Sequence, residues 1–173
     1  LRVLPGDGHA QISWSSRLSH VNAVASPGGS KCSSVKQNSC QIPRLTNGKK
    51  YSVVVTGNEG VKSFSLRSWV TPTETAGQPT NVVAIPSSES ATITWSPPSN
   101  STTAAVTSYV ASAMSSNSLQ SCTYLVPPSN PVFSCQISGL TNGAQYSFVV
   151  QGVNVVGTGP ASLPSNLITP STV

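Results

Sequence analysis

One stretch of the sequence occurs twice. It runs first as Cys40-Gln41-Ile42-Pro43-Arg44-Leu45-Thr46-Asn47-Gly48-Lys49-Lys50-Tyr51-Ser52-Val53-Val54-Val55. It returns as Cys135-Gln136-Ile137-Ser138-Gly139-Leu140-Thr141-Asn142-Gly143-Ala144-Gln145-Tyr146-Ser147-Phe148-Val149-Val150. Each copy reads as a short strand, a polar corner and a second strand with alternate inward residues: Tyr51, Val53, Val55 and Tyr146, Phe148, Val150. A chain written twice has two equivalent apolar faces to bury. In 173 residues this predicts two small domains, 1–73 and 80–173, joined by a linker at 74–79. The stretch from Thr71 to Pro79 has two prolines and few apolar residues, which predicts a short, semi-rigid, solvated spacer.

The duplication extends upstream. His9-Ala10-Gln11-Ile12-Ser13-Trp14 matches Ser90-Ala91-Thr92-Ile93-Thr94-Trp95, both alternating with period two, so that Ala, Ile and Trp share one face. Ahead of these lie Val3-Leu4-Pro5 and Val82-Val83-Ala84-Ile85-Pro86; behind them come Val21, Ala23, Ala25 and Tyr109, Ala111, Ala113 as inward residues of a third strand. A short strand carries Cys32 or Cys122, and a last one runs from Phe64 to Val70 or from Ala161 to Ile168. Seven short strands per copy, with turn residues between them and no helical period, predict an all-β fold of two seven-stranded β-sandwiches. Asn47-Gly48 and Asn142-Gly143 alone would suggest hairpins. The Leu-Thr-Asn-Gly-x-x-Tyr pattern instead predicts a crossing between sheets, with the Tyr hydroxyl bonded to backbone upstream.

The four cysteines fall two per copy, Cys32 with Cys40 and Cys122 with Cys135. Four allow three connectivities, and the repeat favours pairing within each copy; a zinc site is disfavoured because no Cys-x-x-Cys occurs. Disulfides imply an oxidising compartment. The formal net charge is +5, yet all nine Lys and Arg residues lie in the first copy, and the second is nearly chargeless. No apolar run approaches the roughly 18 residues that would insert in a membrane. The absence of an initiator Met and of a leader at Leu1 predicts a piece of a longer precursor with further domains.

Taken together, Trp on the second strand, Leu-Thr-Asn-Gly-x-x-Tyr, Asn154-x-x-Gly157-x-Gly159-Pro160-Ala161-Ser162 and a closing Thr-Pro resemble tandem fibronectin type III domains. The cysteine pairs are similar to those in secreted or surface proteins of actinobacteria. The resemblance implies a non-catalytic adhesion or spacer module. It weakens in the first copy, where Asn58-Glu59-Gly60-Val61-Lys62-Ser63 replaces the Gly-x-Gly-Pro segment.

Catalysis has little to draw on. The carboxylates Asp7, Glu59, Glu74 and Glu89 are scattered, so no glycosidase pair is offered. His9 and His20 read as solvated rim residues, and no Gly-x-Ser-x-Gly elbow, phosphate loop or calcium cage predicts a cofactor or metal. Trp14 and Trp95 read as core; Trp69 reads as packing at a junction, with a ligand platform as the alternative. The basic residues read first as solubilising and edge-protecting charges. The sharper reading makes Arg17, Lys31, Lys36, Lys49, Lys50 and Lys62 contacts for an acidic polysaccharide, with nucleic acid excluded because no aromatics interleave them. The expected function is contact with extracellular protein or glycan from a secreted or cell-surface chain. The alternative is a polysaccharide-binding accessory region of a secreted glycoside hydrolase.

Overall fold

The computed structural model describes residues 1–15, 18–35, 37–99, 105–114 and 120–172 of the 173. They divide into two compact units, Leu1–Glu74 and Thr75–Val173. The first unit contains β1 (Arg2–Gly6), β2 (His9–Ser13), β3 (Leu18–Ser26), β4 (Lys31–Ser34), β5 (Ser39–Ile42), β6 (Tyr51–Glu59) and β7 (Lys62–Val70). They form two antiparallel sheets, β1-β2-β5 and β4-β3-β6-β7. The second contains β8 (Thr80–Ser87), β9 (Ser90–Ser96), β10 (Ser108–Ala113), β11 (Ser121–Leu125), β12 (Ser134–Ser138) and β13 (Phe148–Val153), ordered β12-β9-β8 and β11-β10-β13. Each unit is a β-sandwich.

Period-two alternation builds both cores. In the first unit Ala10, Ile12 and Trp14 meet Val21, Ala23, Ala25, Val53 and Val55, all buried. In the second, Ala91, Ile93 and Trp95 meet Tyr109, Ala111, Phe148 and Val150. Burying one such aliphatic or aromatic side chain contributes about 1.5–3 kcal/mol. The second core differs in one respect. Trp95, Tyr109, Tyr124 and Phe133 form a ring of aromatic contacts, with centroids 5.5 to 6.0 Å apart. Tyr124 and Phe133 come from the longer stretch between Trp95 and Cys135, which the first copy lacks.

Disulfides link Cys32 to Cys40 and Cys122 to Cys135, with Cα–Cα separations of 5.9 and 6.1 Å. Each bond joins the edge strand of one sheet to the edge strand of the facing sheet, β4 to β5 and β11 to β12. Both corners behave as the Leu-Thr-Asn-Gly-x-x-Tyr pattern predicts. The chain crosses between sheets, and the amides of Thr46 and Thr141 donate to the hydroxyls of Tyr51 and Tyr146 at 3.0 Å. Gly48 and Gly143 take positive φ, 79° and 84°, and donate to Pro72 and Pro170 carbonyls.

Two expectations are corrected. Ala161–Ile168 is not a regular strand: apart from an isolated bridge between Tyr146 and Ile168, serine hydroxyls stand in for the carbonyl acceptors of its ladder. The amides of Gly159, Ser162, Ser165 and Ile168 donate to Gly152, Val150, Phe148 and Tyr146 carbonyls. Ser162 and Ser165 hydroxyls accept in return from Val150 and Phe148 amides at 2.9 and 3.0 Å. Three residues of this segment thus answer two of its neighbour, because Pro160 and Pro164 fix φ and lack the N–H a ladder needs. The second correction concerns the spacer. Pro72, Thr73, Ala76 and Pro79 are buried instead of solvated. Thr73 donates to Gly6 in the first unit, whereas Ala76 lies over Gly152 and Gly159 in the second, where any Cβ would collide with it.

Candidate functional site

Register assigns the outer face of the first unit's four-stranded sheet row by row. One row reads Ser26, Ser52, Trp69 across β3, β6 and β7; the next reads Lys31, Val24, Val54, Arg67 across all four strands. Neither row contains a carboxylate. Trp69 is 57% exposed, and the Lys50 ammonium stands 5.0 Å from the centre of its ring. Trp69 therefore does not pack away as expected: alternation along β7 turns it outward, and the Lys50 ammonium overlies its ring. Val24 and Val54 are half-buried between the two cations. A face of this kind offers an aromatic plane, two or three cations and a short apolar strip.

The other candidate residues distribute differently. Lys49 lies 5.7 Å from the ring of Tyr51 at the corner. Lys62 pairs with Glu59 in register at the far end of β7. Arg17 and Lys36 lie outside the described residues. Of the four that are described, Lys31 and Lys50 lie on this face, and Arg67 completes the row with Lys31. Its signal was the alternation Ser63, Ser65, Arg67, Trp69, which places the last two on one face.

Beyond this face the chemistry is structural. Hydrogen bonds from the side chain and main chain of Thr46 hold the Tyr51 phenol below its ordinary 10.0, assisted by Lys49 and opposed by burial. Main-chain and side-chain bonds from Thr141 do the same for Tyr146, while burial pushes Tyr109 up. Asn47 fastens its corner to the β1–β2 turn: its carbonyl accepts from Gly8, and its amide donates to Asp7 at 2.8 Å and Glu74 at 3.3 Å. Asn142 repeats this with Glu89 and Ser88. His20 is exposed at a β3 bulge with φ 49°, beside an open groove lined by Thr56, Asn58 and Ser65. Among the described residues, no three His, Cys, Asp or Glu side chains gather to hold a metal, and no helix is long and apolar enough to cross a membrane.

Two facing sheets closed by a tyrosine corner define a class of small all-β extracellular or structural modules. Residues 77–168 match the fibronectin type III domain, and the chain belongs to that family. A crystal structure of the chicken CNTN1 FN1–FN3 domains superposes with a TM-score of 0.69 at 15% identity, covering 99% of this chain and 66% of that one. A crystal structure of domains from titin gives 0.62 at 15% identity, covering 98% and 61%. This chain thus spans less than two thirds of either structure. At such identities the likeness is one of fold. No curated protein matches the sequence. The family's fold is generally a non-catalytic module, and two disulfides fit an extracellular domain.

Proposed function

We propose that this chain is a non-catalytic adhesion and spacer module of a secreted or cell-surface protein, and that its first unit contacts acidic polysaccharide. The actinobacterial surface proteins whose cysteine pairs it resembles are the kind of parent that suits it. One observation carries the glycan contact: Trp69 stands exposed under Lys50, in the row beside Arg67 and Lys31, on a strip without carboxylates. An indole face stacks on sugar C–H groups while ammonium and guanidinium groups meet carboxylate or sulfate. The exposed indole also serves the second reading, an accessory region that holds a hydrolase on neutral polysaccharide.

The test uses the full chain on immobilised polygalacturonate, with amylose as the neutral control. Retention on polygalacturonate is expected to fall with added salt, and Trp69→Ala or Arg67→Ala to weaken it about three- to tenfold. Equal retention on amylose would favour the accessory reading. Retention unchanged by both variants would remove the face from the account.

A further inference from the structure

β7 ends its sheet, and among the described residues no strand pairs with its other side. It runs 9 residues in unbroken register with β6 and contains no proline. Natural edges are commonly short, bulged or broken by proline, because an open ladder pairs with any passing strand. The second unit follows that practice. Its closing segment bonds β13 through every third residue, a spacing that an incoming strand with period two does not match. The first unit has no such obstruction.

The direction of each backbone group along β7 follows from alternation. The Ala25 amide donates to Ser30, on the β4 side of β3, so Asn22, Val24 and Ser26 turn their backbone groups to β6. Their partners Thr56, Val54 and Ser52 face β3, which leaves Tyr51, Val53, Val55 and Gly57 facing β7. Val70, Ser68, Leu66 and Phe64 answer them. The N–H and C=O groups of Ser63, Ser65, Arg67 and Trp69 therefore point off the sheet, over about 20 Å of strand.

Side chains at this edge specify the guest. Leu66 is registered with Val55 on the core-facing side, yet it is 51% exposed while Val55 is fully buried. An apolar residue on an added strand would cover it. On the opposite side Arg67 stands beside Trp69, whose ring the Lys50 ammonium overlies, and a carboxylate would lie against these cations. We propose that the free edge of β7 takes up an extended acidic segment of another protein as an additional strand, with alternate apolar and acidic side chains. Main-chain bonds supply affinity, and the alternation supplies register. This contact shares Arg67 and Trp69 with the proposed glycan face and differs from it in engaging the outward backbone groups of β7, which amide protection reads separately.

The probe is a capped peptide of about nine residues alternating valine and glutamate, the length that β7 accommodates. Its control has the same composition in two blocks. Amide hydrogen exchange on the full chain is expected to show Ser63, Ser65, Arg67 and Trp69 exchanging freely alone, and slowed about tenfold or more under saturating peptide. Ser65→Pro removes an amide that points off the sheet, leaves the β6 bonds in place, and should weaken the peptide about tenfold or more. Arg67→Glu, which keeps every backbone group, should weaken it severalfold and serves if the proline variant does not fold. Binding without protection of the four amides would overturn the proposal, as would equal binding of the block peptide. Protection of those amides in a peptide-free dimer would overturn it in favour of a second copy of the chain.

Discussion

Asn47 and Asn142 occupy the same place in the repeat and accept the same backbone bond at 2.9 Å, from Gly8 and from Glu89. Their amide groups meet different chemistry. Asn47 donates to the Asp7 and Glu74 carboxylates, whereas Asn142 donates to the Ser88 hydroxyl. Replacement by aspartate, the product of deamidation at an Asn-Gly pair, therefore has unequal consequences. Asn47→Asp sets a third negative charge against two others, and the new carboxyl is held above its unfolded value by like charges. It should cost about 1–3 kcal/mol near neutral pH, and the cost should shrink as pH falls and the new carboxyl takes up a proton. Asn142→Asp keeps an acceptor for Glu89 and a hydroxyl donor in Ser88, so its cost should be smaller and nearly flat with pH. Thermal unfolding of both variants across acidic and neutral pH checks this; equal costs would mean that the carboxylates near Asn47 do not feel its amide.

The clearest contrast between elements is β7 against the segment 159–168. Both close a sheet, yet one is a regular strand and the other hangs on serine hydroxyls. Ser162 is buried and supplies the acceptor for the Val150 amide inside the second unit. Ser162→Ala should therefore cost about 1–3 kcal/mol, whereas Ser65→Ala at the solvated edge of β7 should cost almost nothing. Chemical denaturation of the two variants separates these outcomes; equal costs would mean that the hydroxyl is dispensable. The same contrast shows how far sequence reading reaches. Alternation of Tyr51, Val53 and Val55, and the Thr-Asn-Gly-x-x-Tyr corner, were legible because both signals are local. Ala161–Ile168 was read as a strand because its apolar residues permit one, although Pro160 and Pro164 remove the donors. Burial of Ala76 was not legible, since it depends on Gly152 and Gly159, far along the chain. The outward direction of Trp69 could be counted from β7, but its exposure depends on what covers the sheet. Arg67 was passed over because its relation to Lys31 exists only across four paired strands.

At the scale of the whole molecule the two units share a plan and differ in what sustains it. Each has one disulfide between edge strands, closing 8 residues in the first unit and 13 in the second. Chain entropy makes either worth about 2–3 kcal/mol. What remains without them is unequal. The first unit is the smaller, Leu1–Glu74 against Thr75–Val173, and a smaller domain buries a lower fraction of its surface. It also carries the basic residues, whose mutual repulsion opposes compaction, while Glu89 is the second unit's only charged side chain. The second unit keeps the aromatic ring of Trp95, Tyr109, Tyr124 and Phe133 beside its disulfide, and each such pair adds about 0.5–1.5 kcal/mol beyond area burial. Full reduction should therefore loosen the first unit before the second. Followed by hydrogen exchange, the amides of Ile12 and Val53 should lose protection at lower denaturant than those of Ile93 and Val150. Adding salt should narrow the gap by screening the first unit's cations. Simultaneous loss in both units, or earlier loss in the second, would show that size, charge and aromatic packing do not set their relative stability.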